Sequence, residues 1–198
     1  MTETFAFAGF STSALELISF VLAVITVLLN IRQNHWAWLF SIVSSATYGV
    51  VFFDARLYGD AGLQMVFIAV SVWGWYQWLG GAGREKLVVT HLDPTSIVRA
   101  GALWLAGFAA LAAFLRTYTN TDVPHIDGFL TAGSIVGQLL LSRKKVENWH
   151  VWIIVDVLYV GLYVYKGLML TAILYAIFCV MAVIGLRAWA RIAVAEAR

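Results

Sequence analysis

The stretch Leu168-Met169-Leu170-Thr171-Ala172-Ile173-Leu174-Tyr175-Ala176-Ile177-Phe178-Cys179-Val180-Met181-Ala182-Val183-Ile184-Gly185-Leu186 carries no charged side chain. A bilayer core about 30 Å thick takes roughly 20 helical residues to cross, so this stretch has the length and chemistry of a membrane span. Six more apolar stretches of similar length, each with at most one charged residue, precede it: Ala14–Leu29, Trp36–Phe53, Ala61–Leu79, Ile97–Leu115, Ile126–Leu141 and Trp149–Tyr165. In hydrocarbon a helix satisfies its own backbone groups, whereas a barrel would show alternating segments of about ten residues. The pattern predicts an all-α polytopic membrane protein with seven transmembrane helices.

Composition agrees. Of 198 residues, 62% are hydrophobic and 12% charged, against about 25% charged in soluble domains. One cysteine, Cys179, lies inside an apolar run, so neither a disulfide framework nor a thiolate metal site is expected. The four histidines, His35, His91, His125 and His150, sit at segment ends without metal-ligand spacing. No metal or cofactor is expected. Net charge is +2, and the 13 basic residues are spread over loops, so nucleic-acid binding has no electrostatic footprint. The first fourteen residues carry no Lys or Arg, which argues against a cleaved secretory signal. Between Gly80 and Ser96 lies the longest break, Gly-rich at its start and too short for a soluble domain.

Loop charge orients the spans, because Lys and Arg accumulate on the cytoplasmic side of short loops. Arg32, Arg84, Lys86, Arg99, Arg143, Lys144, Lys145, Arg187, Arg191 and Arg198 fall on one side, and Arg56, Arg116 and Lys166 on the other. The N-terminus is therefore expected outside and the C-terminus in the cytoplasm.

The first three spans also match the last three. Asn34 and Trp38 fall on Asn148 and Trp152; after a three-residue drift, Leu57, Ala61, Phe67, Gly74 and Trp78 fall on Leu168, Ala172, Phe178, Gly185 and Trp189. The arrangement read from this is three-one-three: a three-helix repeat at 14–79, a linker helix at 97–115 and a second repeat at 126–186. One intervening span makes the two repeats run the same way, related by an axis along the membrane normal. The fourth span, nearly pure Ala, Leu, Gly and Phe, suits a peripheral linker.

Polar groups inside spans carry the functional reading, since they are costly unless they face the bundle interior or a wet cavity. In the sixth span Trp149, Trp152, Asp156, Tyr159 and Tyr163 recur every three or four residues on one helical face. Flat rings around a single carboxylate suit an organic ligand with a ring and hydrogen-bonding or cationic groups. Interfacial packing for the outer Trp149, or an interhelical bond for Asp156, is the alternative. Further stripes are Trp38, Ser41, Ser45, Tyr48 and Phe52 in the second span, Gln64, Ser71, Trp75 and Trp78 in the third, and Asp127, Thr131, Ser134 and Gln138 in the fifth. Together they form a shared polar and aromatic interior. No serine has a His and Asp partner within the spans, so an enzyme is not expected. A retinal protein would need a lysine in the middle of the seventh span, yet Lys166 lies in the loop before it.

The stretch Leu57-Tyr58-Gly59-Asp60, followed by Gln64 and Trp73-Gly74-Trp75-Tyr76-Gln77-Trp78, closely resembles the PnuC vitamin transporters. So does Lys145-Val146-Glu147-Asn148-Trp149-His150-Val151-Trp152, with its WxxW pattern, together with Lys166-Gly167-Leu168 and Leu174-Tyr175. The resemblance covers most of residues 34–78 and 143–189. It implies a nicotinamide riboside transporter of the bacterial cytoplasmic membrane, similar in design to the SWEET sugar transporters and a homotrimer. It further implies facilitated diffusion, with an intracellular kinase phosphorylating and so trapping the vitamin. By motif, Trp149 and Trp152 stack on or gate the ligand, while Gln64 and Asn148 hydrogen-bond it. The chain departs from the family pattern at Ser44-Ser45, where Asn-Ser is common, and at Asp156, where an amide is common. An acid there suits a cationic vitamin, either nicotinamide riboside or thiamine, and relatives assigned to riboflavin keep that vitamin open. A proton-coupled transporter or a channel, with Asp156 or Asp127 carrying the proton, is the competing class.

Overall fold

The computed structural model describes residues 4–7, 10–54, 58–80, 87–167 and 169–196. Seven helices carry the architecture: α1 Ala14–Ile31, α2 Ala37–Asp54, α3 Tyr58–Trp78, α4 Pro94–Tyr118, α5 Pro124–Ser142, α6 Asn148–Tyr165 and α7 Met169–Glu196. Each expected span is a helix. By length and composition α4 and α7 are each apolar enough to cross a membrane, while α1 and α2 hold shorter apolar runs. An antiparallel hairpin of β1 (Thr4–Phe7) and β2 (Phe10–Ser13) precedes α1, an element that span counting does not register. Leu57 of the family motif lies outside the described residues.

Boundaries follow local chemistry. The α4 helix starts where Asp93 accepts from the Ser96 backbone N–H at 2.9 Å and from Ser96 Oγ at 2.7 Å, with Pro94 preset for the first turn. Proline also opens α5. The α7 helix continues past Leu186 through Arg187, Trp189 and Arg191, beyond the uncharged run.

Short loops make α1–α2 and α6–α7 antiparallel neighbours. Packing runs α1 on α2, α2 on α3, α5 on α6 and α6 on α7, while α3 against α5 and α1 against α7 close these six helices into a ring. Outside it α4 packs on α5, and of its 25 residues only Ala112 and Leu115 are buried.

Several pairs of residues 111 positions apart occupy matching places. Gln33 and Lys144 both adopt left-handed backbone, at φ 53° and 51°. A Cβ on Gly74 would meet the Trp38 ring at 2.5 Å, and one on Gly185 the Trp149 ring at 2.7 Å. Trp78 Nε1 donates to the Ser142 carbonyl at 3.2 Å, and Trp189 Nε1 to the Ile31 carbonyl at 3.1 Å. The separation is constant, so the expected three-residue drift is absent. Trp38 corresponds to Trp149, not to Trp152, and Asn34 to Lys145. The WxxW pattern offers two tryptophans three residues apart, and the packing glycine selects between them.

These tryptophans share one end of the ring. Trp38, Trp78, Trp189 and Trp149 form a buried chain with successive centroid distances of 5.3, 6.2 and 5.5 Å, packed with Val89, Leu141 and Val146. The loops over them hold Arg32, Arg143, Lys144 and Lys145, hence the basic end. A clasp covers it. Thr90 exchanges backbone bonds with Lys144 and Val146, and Glu147 accepts from the Leu92 N–H at 2.9 Å while its other oxygen lies 2.8 Å from His91 Nδ1. Lys144 Nζ donates to Gln33 Oε1 at 3.1 Å and sits 4.8 Å over the Trp78 ring.

A candidate substrate cavity within the helix ring

All six ring helices, and not α4, line a central cavity of about 950 Å³ including its open mouth. Aromatic walls with a few convergent polar groups are the lining a small organic ligand needs. The α6 face foreseen from spacing supplies Trp149, Trp152 and Asp156; α2 supplies Ser41, Ser44, Ser45, Tyr48 and Phe52; α3 supplies Gln64 and Phe67. Gln138 of α5 and Thr171, Leu174, Tyr175 and Phe178 of α7 complete the opposite wall, with Thr26 and Asn30 of α1. No Lys or Arg is among the described lining residues.

Asp156 is only 3% exposed, and among the described residues its carboxylate has no hydrogen-bonding or ionic partner. A buried carboxylate is costly until something compensates it. Trp149 Nε1 is likewise buried without a partner. Trp152 lies 6.4 Å from Phe67, centroid to centroid, so aromatic faces meet across the cavity from α6 and α3. Ser41 Oγ and Ser71 Oγ are 2.9 Å apart, and Gln138 Nε2 donates to Ser71 Oγ at 3.3 Å, tying α2, α3 and α5 together in the wall.

Of the residues expected at a site, Trp149, Trp152, Asp156, Gln64, Ser41, Ser45, Tyr48 and Gln138 converge on the cavity. The others serve elsewhere. Ser71 stands behind the wall in the serine–glutamine tie. Tyr159 stacks on Tyr163 at 5.4 Å and lies 4.6 Å from Tyr175, one layer behind the lining. Asn148 is fully buried, and its Nδ2 donates to the Lys145 carbonyl at 2.6 Å, fastening the start of α6 rather than facing the cavity. Trp38 packs on Gly74 in the tryptophan cluster, and Trp75 lies 6.0 Å from Trp36. Asp127 accepts from Thr121 Oγ1 at 2.6 Å in the first turn of α5, and Thr131 is not among the lining.

Thr26, Asn30, Ser44, Phe67, Thr171 and Tyr175 were not foreseen. Thr26 and Asn30 are four apart in an otherwise apolar helix, the same signal that marked the other stripes.

Residues 13–191 match the sequence profile of the family described as nicotinamide mononucleotide transporter. The chain belongs to the PnuC family. Among PnuC-type relatives, the riboflavin/roseoflavin transporter RibM of Streptomyces davaonensis is 30% identical over 184 residues, covering 88% of this chain and 83% of that one. The nicotinamide riboside transporter PnuC of Escherichia coli is 22% identical over 207 residues, covering 91% and 87%. The solved structure described as the vitamin B3 transporter PnuC has the same fold, at a TM-score of 0.75 and 23% identity over 90% of this chain and 81% of that one. A PnuC-family chain with this seven-helix fold is a membrane protein.

Proposed function

We propose that this protein carries nicotinamide riboside across the bacterial cytoplasmic membrane by facilitated diffusion. One observation carries the choice of substrate: the uncompensated Asp156 carboxylate in an aromatic cavity with no cation among its described lining residues. Nicotinamide riboside brings a flat, positively charged pyridinium, which stacks on Trp149 or Trp152 and supplies the missing charge. Phosphorylation by an intracellular kinase follows, converting the carried riboside into a phosphate ester and so keeping its inward gradient. Thiamine, with a cationic thiazolium, is the second substrate. A neutral flavin gains nothing from Asp156, although the likeness to RibM supports riboflavin as an alternative.

The architecture proposed is three-one-three, with repeats at 14–79 and 126–186 and the linker helix at 97–115. The ring of six helices with α4 outside supports it, as does the constant register of 111. The basic end is assigned to the cytoplasm and the N-terminus to the outside, on the charge bias of the loops. A homotrimer is the proposed assembly.

Isothermal titration of the detergent-purified protein against nicotinamide riboside, thiamine and riboflavin in parallel tests the reading. Binding of nicotinamide riboside with at least tenfold preference is expected, and preference for riboflavin would overturn it.

A further inference from the structure

Asn30 is the next-to-last residue of α1, and its neighbours Val27 and Ile31 pack on the tryptophan cluster. It therefore stands at the floor of the cavity, at the basic end. Its side chain is 6% exposed, it lines the cavity, and its Oδ1 is buried without a partner. Neither amide atom is hydrogen-bonded among the described residues. Three other polar lining residues are already engaged: Thr26 Oγ1 donates to the Leu22 carbonyl, Ser44 Oγ to the Ser19 carbonyl and Gln138 Nε2 to Ser71 Oγ. Burying an unsatisfied amide costs free energy, and the cost is recovered when a ligand completes the bonds. Asn148 also has an orphaned Oδ1, but it does not reach the cavity.

A side-chain amide presents one acceptor and one donor side by side, whichever way it is turned. The complementary partner is another planar amide, which returns a donor and an acceptor in two antiparallel hydrogen bonds. We infer that Asn30 is a specificity-determining residue that reads the carboxamide of the substrate, pairing with it at the cavity floor. Asp156 lies eight residues into α6 and Asn30 one residue from the end of α1, so the two groups differ in depth by on the order of 10 Å. The positive ring and the carboxamide thus have separate receptors, and the ligand is oriented with its amide toward the basic end. This rests on the nicotinamide riboside reading above.

Titration of the full-length protein in detergent with nicotinamide riboside and with ribosylpyridinium, which lacks the carboxamide, tests the inference. The unaltered protein is expected to prefer nicotinamide riboside by about tenfold, the scale of one or two hydrogen bonds. Asn30→Ala should lose about tenfold for nicotinamide riboside and keep its affinity for ribosylpyridinium. Asn30→Leu, close in size but with no hydrogen-bonding group, should also lose the preference, and it decides the matter if the alanine variant is not recovered folded. Unchanged preference in these variants, or equal loss for both ribosides, overturns the role of Asn30 and leaves the substrate reading intact. Failure of the unaltered protein to bind nicotinamide riboside overturns that reading and this inference with it.

Discussion

Asp156 and Gly185 test two different kinds of dependence on a single side chain. Asp156→Asn keeps the shape of the cavity and removes only charge, so affinity for nicotinamide riboside should fall about tenfold or more while riboflavin affinity stays the same. Calorimetry on both ligands checks this; unchanged nicotinamide riboside affinity would sink the electrostatic role. Gly185→Ala and Gly74→Ala are matched steric changes, each pressing a methyl group into a tryptophan ring. Each should cost about 1–3 kcal/mol of stability, read as a lower melting temperature in detergent. Their effects on binding should differ. Gly185 backs Trp149, which lines the cavity, so Gly185→Ala weakens binding as well; Gly74 backs Trp38, which does not, so Gly74→Ala spares it.

Much of the cavity was legible from single residues. Spacing placed Trp149, Trp152 and Asp156 on one face of α6, and those three do share the cavity. Spacing gives a helical face but not its depth, which is why Tyr159 on the same stripe lands a layer behind, stacked on Tyr163. Asn148 was misplaced for another reason. At the first position of a helix a side-chain amide turns to nearby backbone, and here it satisfies the Lys145 carbonyl.

Among the helices α4 has the most distinct character, and its start depends on one carboxylate. Hydrogen bonds from Ser96 hold Asp93 below the usual carboxylate range. Its folded-state pKa is therefore lowered, so the cap is fully present above the ordinary carboxylate pKa and is lost as pH falls through the lowered value. Asp93→Ala should fray the first turn of α4, seen as faster hydrogen exchange at Ser96 and Ile97, with ligand affinity unchanged because α4 does not reach the cavity. Loss of binding in that variant would contradict the placement of α4 outside the ring. The helices themselves were legible because apolar length is a strong signal. The hairpin was not, because residues 4–13 lie before the first apolar run and carry no turn motif that span counting weighs.

At the scale of the whole molecule, six helices surround the ligand space and one end is shut by four tryptophans under the loop clasp. The facilitated diffusion proposed above couples no ion to the solute. In proteoliposomes, uptake of nicotinamide riboside should be the same with and without an imposed pH gradient; acceleration by inward proton flow would transfer Asp156 to proton transport. The matching of positions was visible as weak identity, but its register of 111 was not, since identity alone cannot tell Trp149 from Trp152. Only the glycine against which each ring packs makes the choice.

On the three-one-three reading proposed above, the position of α4, touching α5 and contributing nothing to the cavity wall, gives it a role of parity. Three helices end on the face opposite to the one where they began, so a triplet followed directly by its copy would enter the bilayer upside down. One extra crossing resets the direction. Trp189 can then reach Ile31 in the same sense that Trp78 reaches Ser142. The composition of α4 is free to drift toward whatever lipid requires, but the number of crossings between the two triplets must stay odd.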